Sequence, residues 1–406
     1  MKRNSLLLLL IVAAVLAGAA VLKSSRKGGA MPADATGKPV LASLAVNDVA
    51  SIEISNAENS LTLARQNDQW VLPARFGYPV DFGRIRDLIM KASDLKIGQV
   101  MRMDDRQRAT LKMTAPTAGS TNSGTLVRFR DTSGKELGGL LVGESRKKRP
   151  DQSPAFFGGY PDGQYVSPDG GKTVYLVSEA LFGFSPSSRD WFDAELLNIP
   201  SAEIQKVTIT GTDRDPLTLQ RKTDGQGLEV PDLSRKEESD EPLVSAIQSS
   251  LSFMRMDDVA DPSMDDAATG MDKAIVFEAT TTKGEIYKIK VGAIDPASNR
   301  YVRIEVALTP EAGMPPPPSE GSSTNQAAIV ATNAAPDATA AQSERKALDD
   351  KVAALNQKMG KWTYLLASYK ATPFTHSRKD LVHKKTEPKD EEQKQEEKDT
   401  KKRKKK

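Results

Sequence analysis

The sequence predicts an α+β protein: an internally duplicated antiparallel-sheet domain with one helix per copy, preceded by one N-terminal membrane helix. Three observations predict it. Apolar and polar residues alternate with period two over many short segments. The order strand, strand, strand, helix, hairpin occurs twice, about 155 residues apart for the early strands and about 150 for the later hairpin. Lys2 and Arg3 precede an unbroken apolar run of 17 residues, Leu6 to Leu22.

As a helix that run would span roughly 25 Å, slightly short of a ~30 Å hydrocarbon core. It reads as a signal anchor, or as a cleaved signal peptide with Ala17-Gly18-Ala19 as its small-residue site. Lys23, Arg26 and Lys27 follow it, so positive charge nearly balances across the run. The short N-terminal flank and large body place the body outside. The expected location is therefore the inner (cytoplasmic) membrane, single-pass, with the body on the periplasmic side. Residues 1–23 form this segment and 24–45 a linker.

The first repeat is expected over 46–186. Ile52 and Ile54 alternate with polar neighbours, Leu61 to Arg65 does likewise, and Trp70 and Leu72 mark a third strand. Asp81 caps a helix whose Ile85, Leu88, Ile89, Ala92 and Leu95 recur at three and four. Leu126 to Arg130, the turn Thr132-Ser133-Gly134 and Leu137 to Val142 form a hairpin. Tyr165-Val166 and Thr173 to Val177 add strands. A connector occupies 187–200. The second repeat, 201–310, restates the pattern: Ile204 to Thr210, Leu217 to Arg221, Leu228 to Pro231, a helix with Leu243, Val244, Ile247 and Leu251, and the hairpin Ala274 to Gly292. Tyr301 to Val306 closes it. The pentapeptide MRMDD occurs at Met101 to Asp105 and again at Met254 to Asp258, but only with a gap of two or three residues relative to the helices.

Residues 311–342 are rich in Pro, Ala, Ser and Thr and are expected to be a disordered insertion. Residues 343–383 are expected to hold a C-terminal helix, capped by Ser343 with Leu348, Val352, Leu355 and Met359 on one stripe, and a strand with Trp362, Tyr364 and Leu366. Residues 384–406 form a charged tail with eleven basic and seven acidic side chains, expected to be unfolded.

Composition restricts the chemistry. With no cysteine, thiol nucleophiles, zinc-thiolate sites and iron–sulfur clusters are excluded. The only histidines, His376 and His383, lie near the C-terminus, so the body holds no histidine-based triad. A net charge of +3 on 406 residues gives no nucleic-acid footprint across the whole chain.

Each motif that could carry chemistry has a plainer reading. Asp169-Gly170-Gly171-Lys172-Thr173 lacks the first glycine of a phosphate loop, which would fall at Val166, and precedes a strand rather than a helix. Ser145-Arg146-Lys147-Lys148 matches Ser-x-x-Lys but lies in a basic loop without a Lys-Thr-Gly partner. Asp257, Asp258, Asp261, Asp265, Asp266 and Asp272 fail the calcium-loop register, which needs Gly and Glu where Asp266 and Asp272 stand. Asp190, Asp193 and Glu195 flank Trp191 and Phe192 in the connector and read as a joint rather than an acid–base pair. The tail Lys401 to Lys406 is diluted by Glu391, Glu392, Glu396, Glu397 and Asp399 and carries no aromatic residue for base stacking. It reads as a solubilising tail, with electrostatic contact to lipid, cell-wall polyanion or RNA as the second reading. No catalytic, cofactor-binding or metal-binding residue is expected.

Further features carry a resemblance: the strand Val49 to Ile54 ending Ile-Glu-Ile, Gln69-Trp70, the hairpin end Leu141-Val142-Gly143, Val174-Tyr175-Leu176-Val177, and the connector Trp191-Phe192-Asp193 with Leu196-Leu197. Together with the basic start and apolar run, they resemble the bacterial domain-of-unknown-function family numbered 4340, over Met1 to about Pro310 and Trp362 to Leu381. That resemblance implies a membrane-anchored extracytoplasmic protein whose gene often neighbours components of an ABC transport system of the gliding-motility auxiliary type. It supplies no catalytic residues. The expected function is a non-enzymatic accessory or scaffold of an envelope complex such as an ABC transport system, with transporter subunits as partners. The alternative is a module binding an envelope polysaccharide in a groove lined by Trp70, Tyr78, Tyr160, Tyr165 and Tyr301, named by residue type. A hydrolase is the third reading and has no motif behind it.

Overall fold

Cross-strand rows of apolar side chains organise the molecule. In the first unit Leu63, Ile52, Phe129 and Gly138 stand in register across four strands, and Leu61, Ile54, Val127 and Leu140 form the next row. All but the glycine are buried. The computed structural model describes residues 35–146, 161–212, 214–310 and 334–385. The chain divides into two units, Met1–Phe192 and Asp193–Lys406. The architecture is α+β, with antiparallel sheets and few helices, as the period-two alternation predicts. The expected membrane helix Leu6–Leu22 lies outside the described residues, and no helix among the described residues is long and apolar enough to cross a membrane.

The first unit holds β1 (Ser51–Ser55), β2 (Ser60–Gln66), β3 (Gln69–Leu72), β4 (Tyr78–Pro79), α1 (Phe82–Asp94), β5 (Gln99–Met101), α2 (Asp105–Thr110), β6 (Thr125–Arg130), β7 (Glu136–Arg146), β8 (Gly163–Ser167) and β9 (Val174–Val177). They make a nine-stranded sheet in the order β4-β3-β2-β1-β6-β7-β8-β9-β5. Asp81 caps α1 by accepting from the N–H groups of Gly83 and Arg84 at 2.9 and 3.3 Å, and Ile85, Leu88, Ile89 and Ala92 form its buried stripe. Asp104 caps α2 in a reciprocal box with Gln107. On the opposite face of the sheet a smaller cluster gathers around Met113, Leu141 and Val174.

The second unit holds β10 (Glu195–Leu197), β11 (Ile204–Thr210), β12 (Leu217–Arg221), β13 (Leu228–Glu229), β14 (Glu237–Ser239), α3 (Glu241–Gln248), β15 (Met254–Arg255), β16 (Asp258–Val259), α4 (Asp266–Thr269), β17 (Ile275–Thr281), β18 (Glu285–Ile294), β19 (Asn299–Leu308), α5 (Ala334–Met359), β20 (Tyr364–Ala367), α6 (Ser368–Ala371), α7 (Arg378–Leu381) and β21 (Val382–Lys384). Its main sheet runs β13-β12-β11-β17-β18-β19-β20-β16. The rows are Leu219, Val207, Ala279, Tyr287 and Leu217, Ile209, Phe277, Ile289. Where the first unit pairs Phe129 with Gly138, the second pairs Ala279 with Tyr287, so one large and one small residue fill the same slot from opposite strands. Asp240 and Asp265 cap α3 and α4 through Leu243 N–H and Ala268 N–H.

A bulge recurs in the long hairpin strand of each sheet. Val142 pairs with Val166 and Ser145 with Gln164, so three steps on β7 oppose two on β8. Val291 pairs with Val302 and Ile294 with Arg300, the same offset on β18 and β19. Each bulge follows a Val-Gly step. A Cβ on Gly143 would overlap the Leu111 carbonyl oxygen and Met113 Sδ, and one on Gly292 would overlap the Thr269 carbonyl oxygen. In both sheets the chain leaving a short helix crosses directly over the strand, and only glycine leaves room.

Two elements differ from the sequence reading. Strand β20, expected within a separate C-terminal segment, pairs with β19 and β16 inside the second sheet, because Tyr364 and Leu366 supply buried side chains to that face. Helix α5 begins at Ala334, nine residues before the expected cap at Ser343; its first residues are mostly alanine, and Pro336 sits in the first turn, where a missing N–H is harmless. The two MRMDD segments, out of step with the helices in the sequence, occupy different places: Met101 lies in edge strand β5 opposite Val174, whereas Met254 and Arg255 pair with β10.

Helix α5 is tied to the sheet by polar contacts. Asn356 accepts from Val306 N–H at 2.9 Å and donates to Val306 C=O at 2.7 Å, covering β19 beyond the four residues that β20 pairs. Lys351 Nζ lies 2.6 Å from the fully buried carboxylate of Glu285, which also accepts from Thr281 Oγ1 at 3.2 Å. Burial, together with that carboxylate, pushes the Tyr287 hydroxyl well above its ordinary pKa.

Candidate functional site

Most sequence candidates fall into structural roles. Asp169 closes the β8–β9 turn: it accepts from Thr173 N–H at 2.8 Å and from Ser167 Oγ at 2.7 Å, while Gly171 N–H donates to Ser167 Oγ at 2.8 Å. Burial acts to raise the Asp169 pKa, but these hydrogen bonds outweigh it and hold the carboxyl below its ordinary value. Ser145 lies within β7 opposite Gln164, not at a helix start, and Lys148 lies outside the described residues. The acidic run is dispersed. Asp257 meets Lys370 at 2.8 Å, Asp261 binds Ser263, Asp265 caps α4, and Asp266 pairs with Arg303 at 2.7 Å. No group of three or more potential metal ligands occurs among the described residues. Asp190 offers its carbonyl to Arg84, and Asp193 pairs with Lys358 at 2.9 Å. Glu195 lies in β10.

Three of the five aromatic candidates are core residues. Trp70, Tyr78 and Tyr301 are buried, and Tyr165 packs on the Met113 cluster. Tyr160 and the tail from 386 lie outside the described residues. Trp191 Nε1 donates to Ser185 C=O at 2.8 Å, and Phe192 meets Tyr78 edge-on at 5.5 Å, so both connector aromatics pack within the first unit.

Two surfaces of the first unit remain as sites. The first is the solvent face of α1. Phe82 and Met90, two turns apart, are 64% and 45% exposed, and Phe182, across a cleft from Arg84 and Lys91, is 63% exposed. Arg84, Asp87, Lys91, Phe182 and Trp191 border a cleft of about 400 Å³ between the helix and the Phe182 loop. These exposed apolar side chains stand on a helix that also carries Arg84, Arg86 and Lys91.

The second is a polar cleft of about 480 Å³ between the β1–β2 turn, the loop before β6 and the bulge of β7. Helix α2 ends above it. Met113 N–H returns to Arg108 C=O at 2.7 Å and Lys112 N–H to Ala109 C=O at 3.2 Å, a helix stop that places Lys112 in the left-handed region at φ 53°. Lys112 Nζ then reaches Glu144 Oε1 at 2.7 Å. The matching position of the second unit is Gly270, φ 70°, between Thr269 and Met271, and the residue after the bulge glycine is Ala293. A left-handed residue other than glycine costs roughly 1–2 kcal/mol. A half-exposed ion pair contributes only about 0.2–1 kcal/mol. The ion pair thus offsets part of the cost of that conformation.

Sequence reasoning missed these residues. Phe82 could have been found, because it directly follows the capping Asp81 and lies off the buried stripe. Lys112 could not, because a lysine in a helix stop carries no pattern.

No curated protein and no solved structure matches the chain. The family model described as Domain of unknown function (DUF4340) matches residues 70–274, from β3 of the first sheet to the residue before β17 of the second. That is half of the chain, and the protein belongs to this family.

Proposed function

We propose that the protein is a membrane-tethered, extracytoplasmic scaffold, non-enzymatic, which docks a subunit of an envelope complex such as an ABC transport system through the solvent face of α1. The apolar run Leu6–Leu22 supports the tether, and the chain entering the first unit runs beside the end of α1: Val40 N–H donates to Leu95 C=O and Gly37 N–H to Ile97 C=O, both at 2.7 Å. The observation that carries the docking reading is the exposed side of α1 with Phe82, Arg86 and Met90, next to which the helix also borders, on its other exposed side, the cleft of Arg84, Lys91 and Phe182. Such a face fits a partner presenting apolar side chains flanked by carboxylates.

The body is read as a duplicated α+β unit. Matching strand order across eight strands, the same bulge after a Val-Gly step, and aspartate-capped helices in the same places support a common origin for the two sheets. Affinity purification of the full chain from mildly solubilised membranes tests the function. The proposal expects a stoichiometric membrane partner that Phe82→Asp with Met90→Asp removes. A partner retained by that variant, or none with either protein, overturns it.

A further inference from the structure

We propose that the polar cleft bordered by Lys112 and Glu144 binds a neutral, polyhydroxylated ligand of the carbohydrate class. The second unit serves as an internal control. It has the same short helix, the same left-handed stop and the same glycine under the crossing chain, but its stop is Gly270. A Cβ there would come within 2.7 Å of Ala293 N and 2.9 Å of Ala293 Cβ. At that place the first unit has a lysine in a conformation suited to glycine, and Glu144 where the second unit has alanine. Strained backbone conformations recur at ligand sites, and this one stands on the rim of a cleft.

The chemistry of the lining selects the ligand. Lys112 supplies a cation, Glu58 and Glu144 supply carboxylates, and Ser120, Thr121 and Ser123 supply hydroxyls. Two carboxylates against one ammonium disfavour phosphates and acidic ligands. Charged acceptors and donors interleaved with hydroxyls match vicinal diols, which both donate and accept. A volume near 480 Å³ lies within the roughly 300–1,000 Å³ typical of small-ligand sites. The cleft and the α1 face use different residues, so this site stands whether or not the docking reading holds.

The test is calorimetric titration of the full chain in mild detergent with chitotetraose and with maltotetraose, beside inorganic phosphate, for the wild type, Lys112→Gly and Glu144→Gln. The expected result is binding of at least one tetrasaccharide, no binding of phosphate, and at least tenfold weaker binding by both variants. Lys112→Gly should melt at the wild-type temperature or above it, because it restores the glycine of the second unit; a lysine serving only as a helix stop would leave binding unchanged. The proposal is overturned by failure of both sugars to bind, by phosphate binding in preference to them, or by wild-type affinity in Lys112→Gly.

Discussion

Replacing Gly143 by alanine should destabilise the first unit by about 2 kcal/mol, although alanine is intrinsically the better strand residue. A strand glycine is worth roughly 0.5–1 kcal/mol less than alanine, which favours the variant. Against this, the new Cβ would overlap Met113 Sδ and the Leu111 carbonyl oxygen. Met113 is 1% exposed and central to its cluster, so it has little room to yield. Forcing a methyl group into such packing costs about 1–3 kcal/mol. The Leu111 carbonyl is also backbone and accepts from Glu144 N–H at 2.9 Å, so retreat of that chain loses a hydrogen bond worth about 0.5–1.5 kcal/mol. Gly138 on the same strand is the control: its nearest contact would be Leu44 Cδ1 at 3.5 Å, ordinary packing, and Gly138→Ala should stay within about 0.5 kcal/mol of the wild type. Urea unfolding in a Trp362→Phe background reads the first unit through Trp70 and Trp191. With a slope of about 2 kcal/mol per molar, the midpoint should fall by about 1 M for Gly143→Ala. A midpoint at or above the wild type would refute the crossing-chain account, and Gly292→Ala should repeat the loss in the second unit.

Other predictions concern single contacts. Lys351→Ala strands the buried Glu285 carboxylate and should cost the second unit about 3 kcal/mol, largely recovered by adding Glu285→Gln; an unchanged urea midpoint in the single variant contradicts this. Asn356→Ala removes both hydrogen bonds to Val306 and should cost about 1–2 kcal/mol while raising light scattering on concentration, since it bares a strand edge; unaltered scattering and stability would count against the edge-cover role. Asp169→Asn should cost about 1 kcal/mol at pH 7, a modest figure because the carboxylate is largely solvated. The folded pKa lies below the ordinary 3.8, so the wild-type advantage is full above that value and is lost as pH falls through the folded pKa. Urea midpoints at pH 7, 5 and 3 that differ by a constant amount would refute the assignment.

What was legible in the sequence was what local pattern encodes. Ile52 and Ile54 alternate because one face of β1 is buried, Asp81 announces α1 because its carboxylate meets orphan N–H groups, and the recurrence of element order followed from both. Long-range placement was not legible. Strand β20 lies 55 residues beyond the end of β19, and no local signal says that Tyr364 and Leu366 return to the same sheet. Residue type misled at Trp70, Tyr78 and Tyr301, whose rings fill the core instead of lining a groove. The MRMDD segments, out of step with the helices in the sequence, also have different strand partners. Lys112 and Glu144 lie 32 positions apart, and only the crossing of the chain over Gly143 brings them together.

The most direct test of the scaffold claim is photo-crosslinking in intact membranes from a reactive residue at position 82, with position 229 of the second unit as the comparison. The account predicts one dominant adduct from position 82, to an integral membrane transport subunit, which Arg84→Glu with Arg86→Glu abolishes and position 229 does not give. The same adducts from both positions, or none from position 82, would contradict it.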